Sequence, residues 1–357
     1  MDAPLVECLK SLSEIRYQIR TLNLETELLR EYPIEDGSEL IKKFSSLRHH
    51  LESNKSIKRQ FDYRSMIVSI YGSLEQFVDS LVAEFVDAAR SIVPAYSDLP
   101  EPIRKHHVEV SIELISRVQN SKYRGDESVE SIISRLYSCL SGAKEFNVNS
   151  VAFANHRANY RTEIIVSLFA RIGIFNILKQ GRNLPSFINN VARLFPDRKL
   201  EDLHDQAVYQ MIDDLADRRN DVAHGNISDT LSHEMLEPYI DLVNATAVAI
   251  HEIAVSSLFP LYSLHLGSME SKPISVFNNE IICFTVHGIT VHRGDLLIGW
   301  NQKRSQYIGG AIHEIEVNKC QVAFVDGKGA AVNAGFKVLF RPNKDYTYCV
   351  VPKERIV

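Results

Sequence analysis

The sequence predicts a mainly α protein, an all-α helical bundle followed by a small all-β barrel or sandwich. Three observations carry this. Apolar residues recur at three-and-four spacing through roughly the first 265 residues, the period of an amphipathic helix. From Ser268 onward the chain changes to short β-branched and aromatic runs broken by turn residues. The length of 357 residues, with 45% apolar and 24% charged side chains, suits a soluble globular chain of two or three domains.

Taken in order, LVECLKSLSEIRYQIRTLNLETELLREY and ELIKKFSSLRHHLES read as helices, with a turn between them at Pro33 and the EDGS that follows. The segment 61–90 has a broad apolar face made by Met66, Ile67, Ile70, Leu74, Phe77, Val78, Leu81, Phe85 and Val86, which suits a central bundle helix. PAYSDLPEP (94–102) reads as a loop, the IRKHHVEVSIELISRVQN that follows as a helix, and SKYRGDES (121–128) as polar and exposed. RTEIIVSLFARIGIFNIL (161–178) reads as one apolar helix. In 208–224 Val208, Ile212, Leu215, Arg219 and Val222 form a single stripe, and Gly225 stands where a helix end wants a positive φ. A last helix is expected from about Ser232 to about Tyr262, with Pro238 near its start. Beyond it, runs such as EIICFTVHGITVH, DLLIGW and YTYCVVP predict five to seven strands. The expected organisation is an N-terminal helical segment over 1–60, a helical domain over 61–265 and a β-rich accessory domain over 268–357.

Composition narrows the function. Five scattered cysteines, with no C-x-x-C pair, argue for a reducing compartment and against a disulfide framework or structural zinc site. The N-terminus lacks the basic and apolar regions of a signal peptide, and the expected location is cytoplasmic. The most apolar stretch, 242–264, is interrupted by Asn244, His251, Glu252 and Pro260, so a buried helix is expected rather than a membrane span. The net charge of −5 is uneven: 268–357 holds 11 Lys+Arg against 8 Asp+Glu, and 1–267 holds 29 against 37. Any RNA contact must therefore come from a local patch rather than from the overall field.

The stretch RRNDVAHGN (218–226) is the candidate for chemistry. Metal-free RNA cleavage needs a proton acceptor or donor near neutral pH, which histidine supplies. It also needs a cation for the charge that builds on phosphate, which arginine's planar fork provides. Asn220 can orient either group. Five residues along a helix set Arg219 and His224 roughly 140° apart, whereas Asn220 and His224 share a face. A two-fold pair of chains would bring both motifs into one composite cleft. The plainer alternative is a charged helix end in which Arg219 and His224 pair with Asp217 or Asp221.

The Arg-Asn-x-x-x-His spacing in LADRRNDVAHG resembles the HEPN superfamily (higher eukaryotes and prokaryotes nucleotide-binding), closest to its bacterial restriction- and toxin-associated branch. The upstream MIVSIYGSLEQFV and the IIVSLFARIGI helix add to the likeness, which covers roughly 60–260 and says nothing about 268–357. The resemblance implies a helical bundle, commonly dimeric, and a metal-independent endoribonuclease using no cofactor, of a kind found in toxin–antitoxin and antiphage systems. By that resemblance Arg219 and His224 are the catalytic pair and Asn220 the preferred polar neighbour. Arg218 offers an alternative register and Glu75 an acidic supporter. A subset of the family carries a tyrosine two residues after the histidine, modified by a nucleotidylating antitoxin; Asn226 stands there, so that regulation is not expected. The implied partners are an RNA substrate, a second copy of the chain, and an antitoxin or defence-system protein, with no membrane. The rival implication is a non-catalytic HEPN-like protein that dimerises and holds a nucleotide or partner, and a third is an antitoxin-like regulator.

Other candidates are weaker. His49-His50 and His106-His107 are adjacent pairs that cannot chelate one metal from a helix, so they are expected on the surface, and no metal site is expected anywhere. VDGKGAAVNAG lacks the phosphate-loop pattern and reads as a hairpin turn. Arg293, Lys303, Arg304, Lys319 and Arg341 lie among Trp300, Tyr307 and Phe340, a mixture able to hold single-stranded RNA by charge and stacking.

Overall fold

A computed structural model of the chain describes residues 1–31, 39–120, 125–156, 158–196, 198–226 and 229–356. The expected turn at Pro33 lies outside the described residues, as does the first half of the polar stretch 121–128. Helices occupy the chain up to His265: α1 (Asp2–Glu31), α2 (Glu39–Ser53), α3 (Lys55–Ile92), α4 (Glu101–Val118), α5 (Val129–Leu140) and α6 (Ser150–Phe153). They continue as α7 (Thr162–Arg171), α8 (Ile177–Gly181), α9 (Pro185–Val191), α10 (Asp205–His224), α11 (His233–Ser257) and α12 (Phe259–His265). Strands begin at Ser268.

The chain forms two compact units, residues 1–83 with 151–251, and residues 84–150 with 252–357. In the first, Leu12, Ile15 and Ile19 of α1, Ile67, Ile70 and Leu74 of α3, Val208, Ile212 and Leu215 of α10, and Ile240 and Val243 of α11 are buried. Each such side chain contributes about 1.5–3 kcal/mol when taken out of water. The apolar face expected on the central helix is thus a core face. α3 starts at Lys55, and the expected division at 60/61 falls inside it. The stretch His233–His265 is long and apolar enough to cross a membrane by length and composition, but 61% of its most apolar window is buried inside the protein. It is broken at Leu258, where Pro260 in the first turn of α12 cannot supply an amide.

Two helix readings are corrected. The single helix expected over 161–178 is two, because Gly173 (φ 93°) and Asn176 (φ 54°) take left-handed conformations that a helix cannot hold. α5 is an additional helix in a stretch given no assignment from sequence. Ser128 starts it with a capping box, its hydroxyl accepting the Ser131 amide at 3.1 Å while the Ser131 hydroxyl accepts the Ser128 amide at 3.2 Å.

His107 is also corrected. It is fully buried, not on the surface, with Nε2 accepting the Asn149 amide at 3.1 Å and Nδ1 3.2 Å from the Tyr96 hydroxyl. An amide can only donate, so Nε2 is the acceptor nitrogen and the neutral ring carries its proton on Nδ1. Burial, aided by the nearby Arg135 charge, pushes its pKa down to about 4.

The C-terminal β-region of the second unit has strands β1 (Ser268–Ser271), β2 (Ser275–Phe277), β3 (Ile281–Val286), β4 (Thr290–His292) and β5 (Leu296–Asn301). Then come β6 (Gln306–Val317), β7 (Cys320–Val322), β8 (Phe324–Asp326), β9 (Val332–Val338) and β10 (Thr347–Val351). The antiparallel order is β1-β10-β5-β6-β9-β3-β2, with β7 on β6 and a separate β4-β8 pair. This is a curled antiparallel sheet, a half-barrel that stays open: among the described residues no pairing joins the edge strands β1 and β2. β6 bends through a register shift between Ile312 and Glu314, so its first half pairs β5 and its second half β9. Alternate residues Ile282, Phe284 and Val286 of β3 enter one core with Phe336, Tyr348 and Val350. Asn318 and Lys319, both at positive φ, make the two-residue turn that joins β6 to β7, the backbone a type I′ hairpin needs. The glycine-rich connection after Asp326 is not a hairpin turn, since β8 pairs with β4 while β9 pairs with β3 and β6.

Candidate functional site

The site grows from the end of α10, within the first unit. Val208, Ile212 and Leu215 bury one stripe of this helix. Arg219 extends the stripe by one turn, so its side chain points toward the core edge rather than to water. There the guanidinium carbon stands 5.2 Å from the centroid of the Tyr71 ring on α3. A cation over an aromatic face at that distance is attracted by the ring quadrupole, by about 0.5–2 kcal/mol.

Asn220, the next residue, accepts a hydrogen bond on Oδ1 from Asn159 Nδ2 at 3.1 Å. α10 ends in a Schellman arrangement: Gly225 takes φ 75°, its amide bonds the Val222 carbonyl at 3.3 Å, and the Asn226 amide bonds the Asp221 carbonyl at 3.0 Å. His224 is the last helical residue. It is exposed, and among the described residues its imidazole makes no hydrogen bond or ion pair. Arg219 and Asn220 are thus gathered inward by neighbours, while His224 stands outward at the helix end.

The acidic residues beside the motif are engaged elsewhere. Asp217 forms a two-pronged ion pair with Arg161, one prong at 3.2 Å. Asp213 accepts both the backbone amide (2.8 Å) and hydroxyl (3.1 Å) of Thr162, satisfying the first turn of α7. Asp214 accepts from Arg218 Nε at 2.6 Å and from the Tyr239 hydroxyl at 2.5 Å, and Arg218 also donates to the Tyr63 hydroxyl at 3.1 Å. Arg218 is therefore a structural clamp between α3 and α10. Among the described residues, that leaves Arg219 as the arginine of the motif without a carboxylate partner.

Not foreseen from the sequence are residues 158–162, which dock along α10 through Asn159, Arg161 and Thr162. Tyr160 is buried there. Its amide donates to the Tyr71 hydroxyl at 2.8 Å and its own hydroxyl donates to Asp79. Burial raises the Tyr71 phenol above its ordinary value, against the lowering effects of the Tyr160 amide and of Arg219. Tyr160 is raised further, first by burial and then by Asp79, so both phenols stay neutral. His156 packs edge-on against the Tyr160 ring at 4.1 Å and its Nδ1 donates to the Ala158 carbonyl at 2.5 Å. The one available signal was a polar run, ANHRANYR, immediately before an apolar helix. Glu75 sits on α3 between Tyr71 and Asp79, one turn from each, where its charge acts on both tyrosines.

The basic residues proposed for RNA contact do not form one patch. Arg293 occupies the turn before β5, whereas Lys303 and Arg304 lie in the turn after it, at the other end of a six-residue strand. Lys303 and Arg304 do share that end with Trp300 and Tyr307, which face each other across β5 and β6.

Compared with known protein families, residues 36–256 match the RiboL-PSP-HEPN model, which spans more than half of the chain and contains all of α10. The chain belongs to the RiboL-PSP-HEPN family. No curated protein matches it, and no solved structure does. Family membership supports a HEPN domain of the nuclease or nucleotide-binding kind, built by α2 to α11. The match ends before β1, so the curled sheet stands outside it.

Proposed function

We propose that this HEPN protein is a metal-independent endoribonuclease. The observation that carries the reading is Arg219, held on the Tyr71 ring with no carboxylate paired to it among the described residues, five residues before an exposed His224 at a capped helix end. In the proposed reaction the RNA 2′-oxygen attacks the adjacent phosphorus and the bond to the 5′-oxygen breaks. The 2′-proton passes to a base and a proton is given to the leaving 5′-oxygen, leaving a 2′,3′-cyclic phosphate and a free 5′-hydroxyl. His224 is the acid or base, Arg219 the cation on the phosphate oxygens, and Asn220 the orienting group. The inward Arg219 and outward His224 favour a composite cleft in which a second copy of the chain supplies the facing motif. Such a cytoplasmic nuclease is toxic when unrestrained, and the reading extends to a toxin or defence effector restrained by a partner protein.

The test is purified protein with mixed RNA in excess EDTA, beside Arg219→Ala and His224→Ala, with end-group analysis and light scattering for mass. The expected result is cyclic-phosphate ends from wild type and rates at least about 100-fold lower in either variant, the usual worth of a positioned acid or base. Unchanged cleavage in both variants would mean the motif is a helix end. An inert wild type that retains dimerisation and binds nucleotide points to the non-catalytic alternative.

A further inference from the structure

An arginine that must meet a phosphate in the transition state works only if its fork waits in place, because about 1 Å of misplacement can cost on the order of 100-fold in rate. Free arginine side chains do not wait. We propose that Tyr71 is the positioning residue for Arg219, a rigid aromatic seat that fixes the guanidinium for phosphate. The proposal rests on the nuclease reading above.

Tyr71 is 2% exposed, so its ring is locked by packing. Its hydroxyl, at the far end of the ring, is pinned by the Tyr160 amide at 2.8 Å. Tyr160 is itself fully buried and tied to Asp79 through its own hydroxyl. The seat therefore has no freedom of its own, and the 5.2 Å contact to Arg219 transmits that rigidity to the motif arginine that has no carboxylate partner among the described residues. A carboxylate could also have fixed the guanidinium, but it would compete with phosphate for the same N–H donors. A ring face holds the cation and leaves all five donors free. Asn159 does the corresponding service for Asn220.

The ring and the hydroxyl can be separated. Tyr71→Leu keeps an apolar core residue and removes the face, whereas Tyr71→Phe keeps the face and removes only the bond from the Tyr160 amide. Single-turnover cleavage at saturating RNA is compared for wild type, Tyr71→Leu, Tyr71→Phe, Arg219→Ala and the Tyr71→Leu/Arg219→Ala double variant, all checked for folding by circular dichroism. The expected result is a 10- to 100-fold loss in Tyr71→Leu with RNA affinity changed less than the rate, and recovery of most of that loss in Tyr71→Phe. The double variant should be no slower than Arg219→Ala alone, which a merely structural role would not produce. In parallel, the Arg219 Nε–H proton resonance should carry a ring-current shift that Tyr71→Phe retains and Tyr71→Leu loses.

If Arg219→Ala cleaves like wild type, the nuclease reading falls and Tyr71 has nothing to position, even with the ring-current shift present. If Arg219→Ala is crippled while Tyr71→Leu is not, the Tyr71 proposal alone falls. It falls as well if Tyr71→Leu slows the Arg219→Ala background as much as it slows wild type, or if the wild-type shift is missing.

Discussion

Acid should destabilise the second unit through His107, and the size follows from its surroundings. The ring is fully buried and its pKa drops from 6.5 to about 4. Native His107 stays neutral over that window while the unfolded chain takes up a proton. Unfolding free energy therefore falls as the pH falls from 6.5 toward 4, and is fully retained above 6.5. At about 1.36 kcal/mol per pH unit the whole window is worth about 3 kcal/mol. The hydrogen bonds give the same sign: a protonated Nε2 would point a donor at the Asn149 amide, itself a donor, in place of the present 3.1 Å bond. Urea unfolding of wild type and His107→Gln between pH 7.5 and 4.5 isolates this group, since every other titrating group is common to both. Wild type should lead the variant at pH 7.5, and the gap should shrink by about 2–3 kcal/mol by pH 4.5. A gap of constant size across that range would refute the assignment of a neutral, buried His107.

Two further predictions concern single glycines. Gly225 takes φ 75° and, chain neighbours aside, no atom of the described residues lies within 4 Å of an added Cβ, so Gly225→Ala should cost only the left-handed backbone penalty, about 1–2 kcal/mol, and Gly225→Asn less. Urea midpoints that rank Asn below Ala would contradict the Schellman reading of the α10 end. Gly299 faces the opposite case: an added Cβ would lie 2.5 Å from Tyr348 Cε1, on a fully buried ring whose hydroxyl is bonded to the Asn343 carbonyl at 3.0 Å. Gly299→Ala should therefore cost about 1–3 kcal/mol by overpacking, and a loss below about 0.5 kcal/mol in thermal or urea melts would show that the sheet yields there.

Much of this architecture is legible from neighbouring residues. The stripe Val208, Ile212, Leu215 marks the buried face of α10, and Gly225 marks its end, because both depend on a helical period and one backbone angle. The change of period near Ser268 coincides with the first strand for the same reason. The missed features are of another kind. The three-residue strands β2, β4, β7 and β8 are too short to show alternation, and the strand order is set by pairings such as β1 with β10, some 80 residues apart in the chain. The break within 161–178 needed Asn176 in a left-handed conformation, which an apolar pattern hides.

The spacing of Arg219, Asn220 and His224, the helix that carries them and the glycine that stops it can all be read from the letters, since each follows from contacts within a few turns. Where each arginine of the pair points comes instead from tertiary packing. Arg218 and Arg219 are equivalent as letters, but 100° of helical rotation sends one to Asp214 and Tyr63 and the other to the ring of Tyr71. Asn159, Tyr160 and Arg161 joined the site the same way, from about 60 to 90 residues away in the chain. Their placement rests on packing between distant segments, which no local period records.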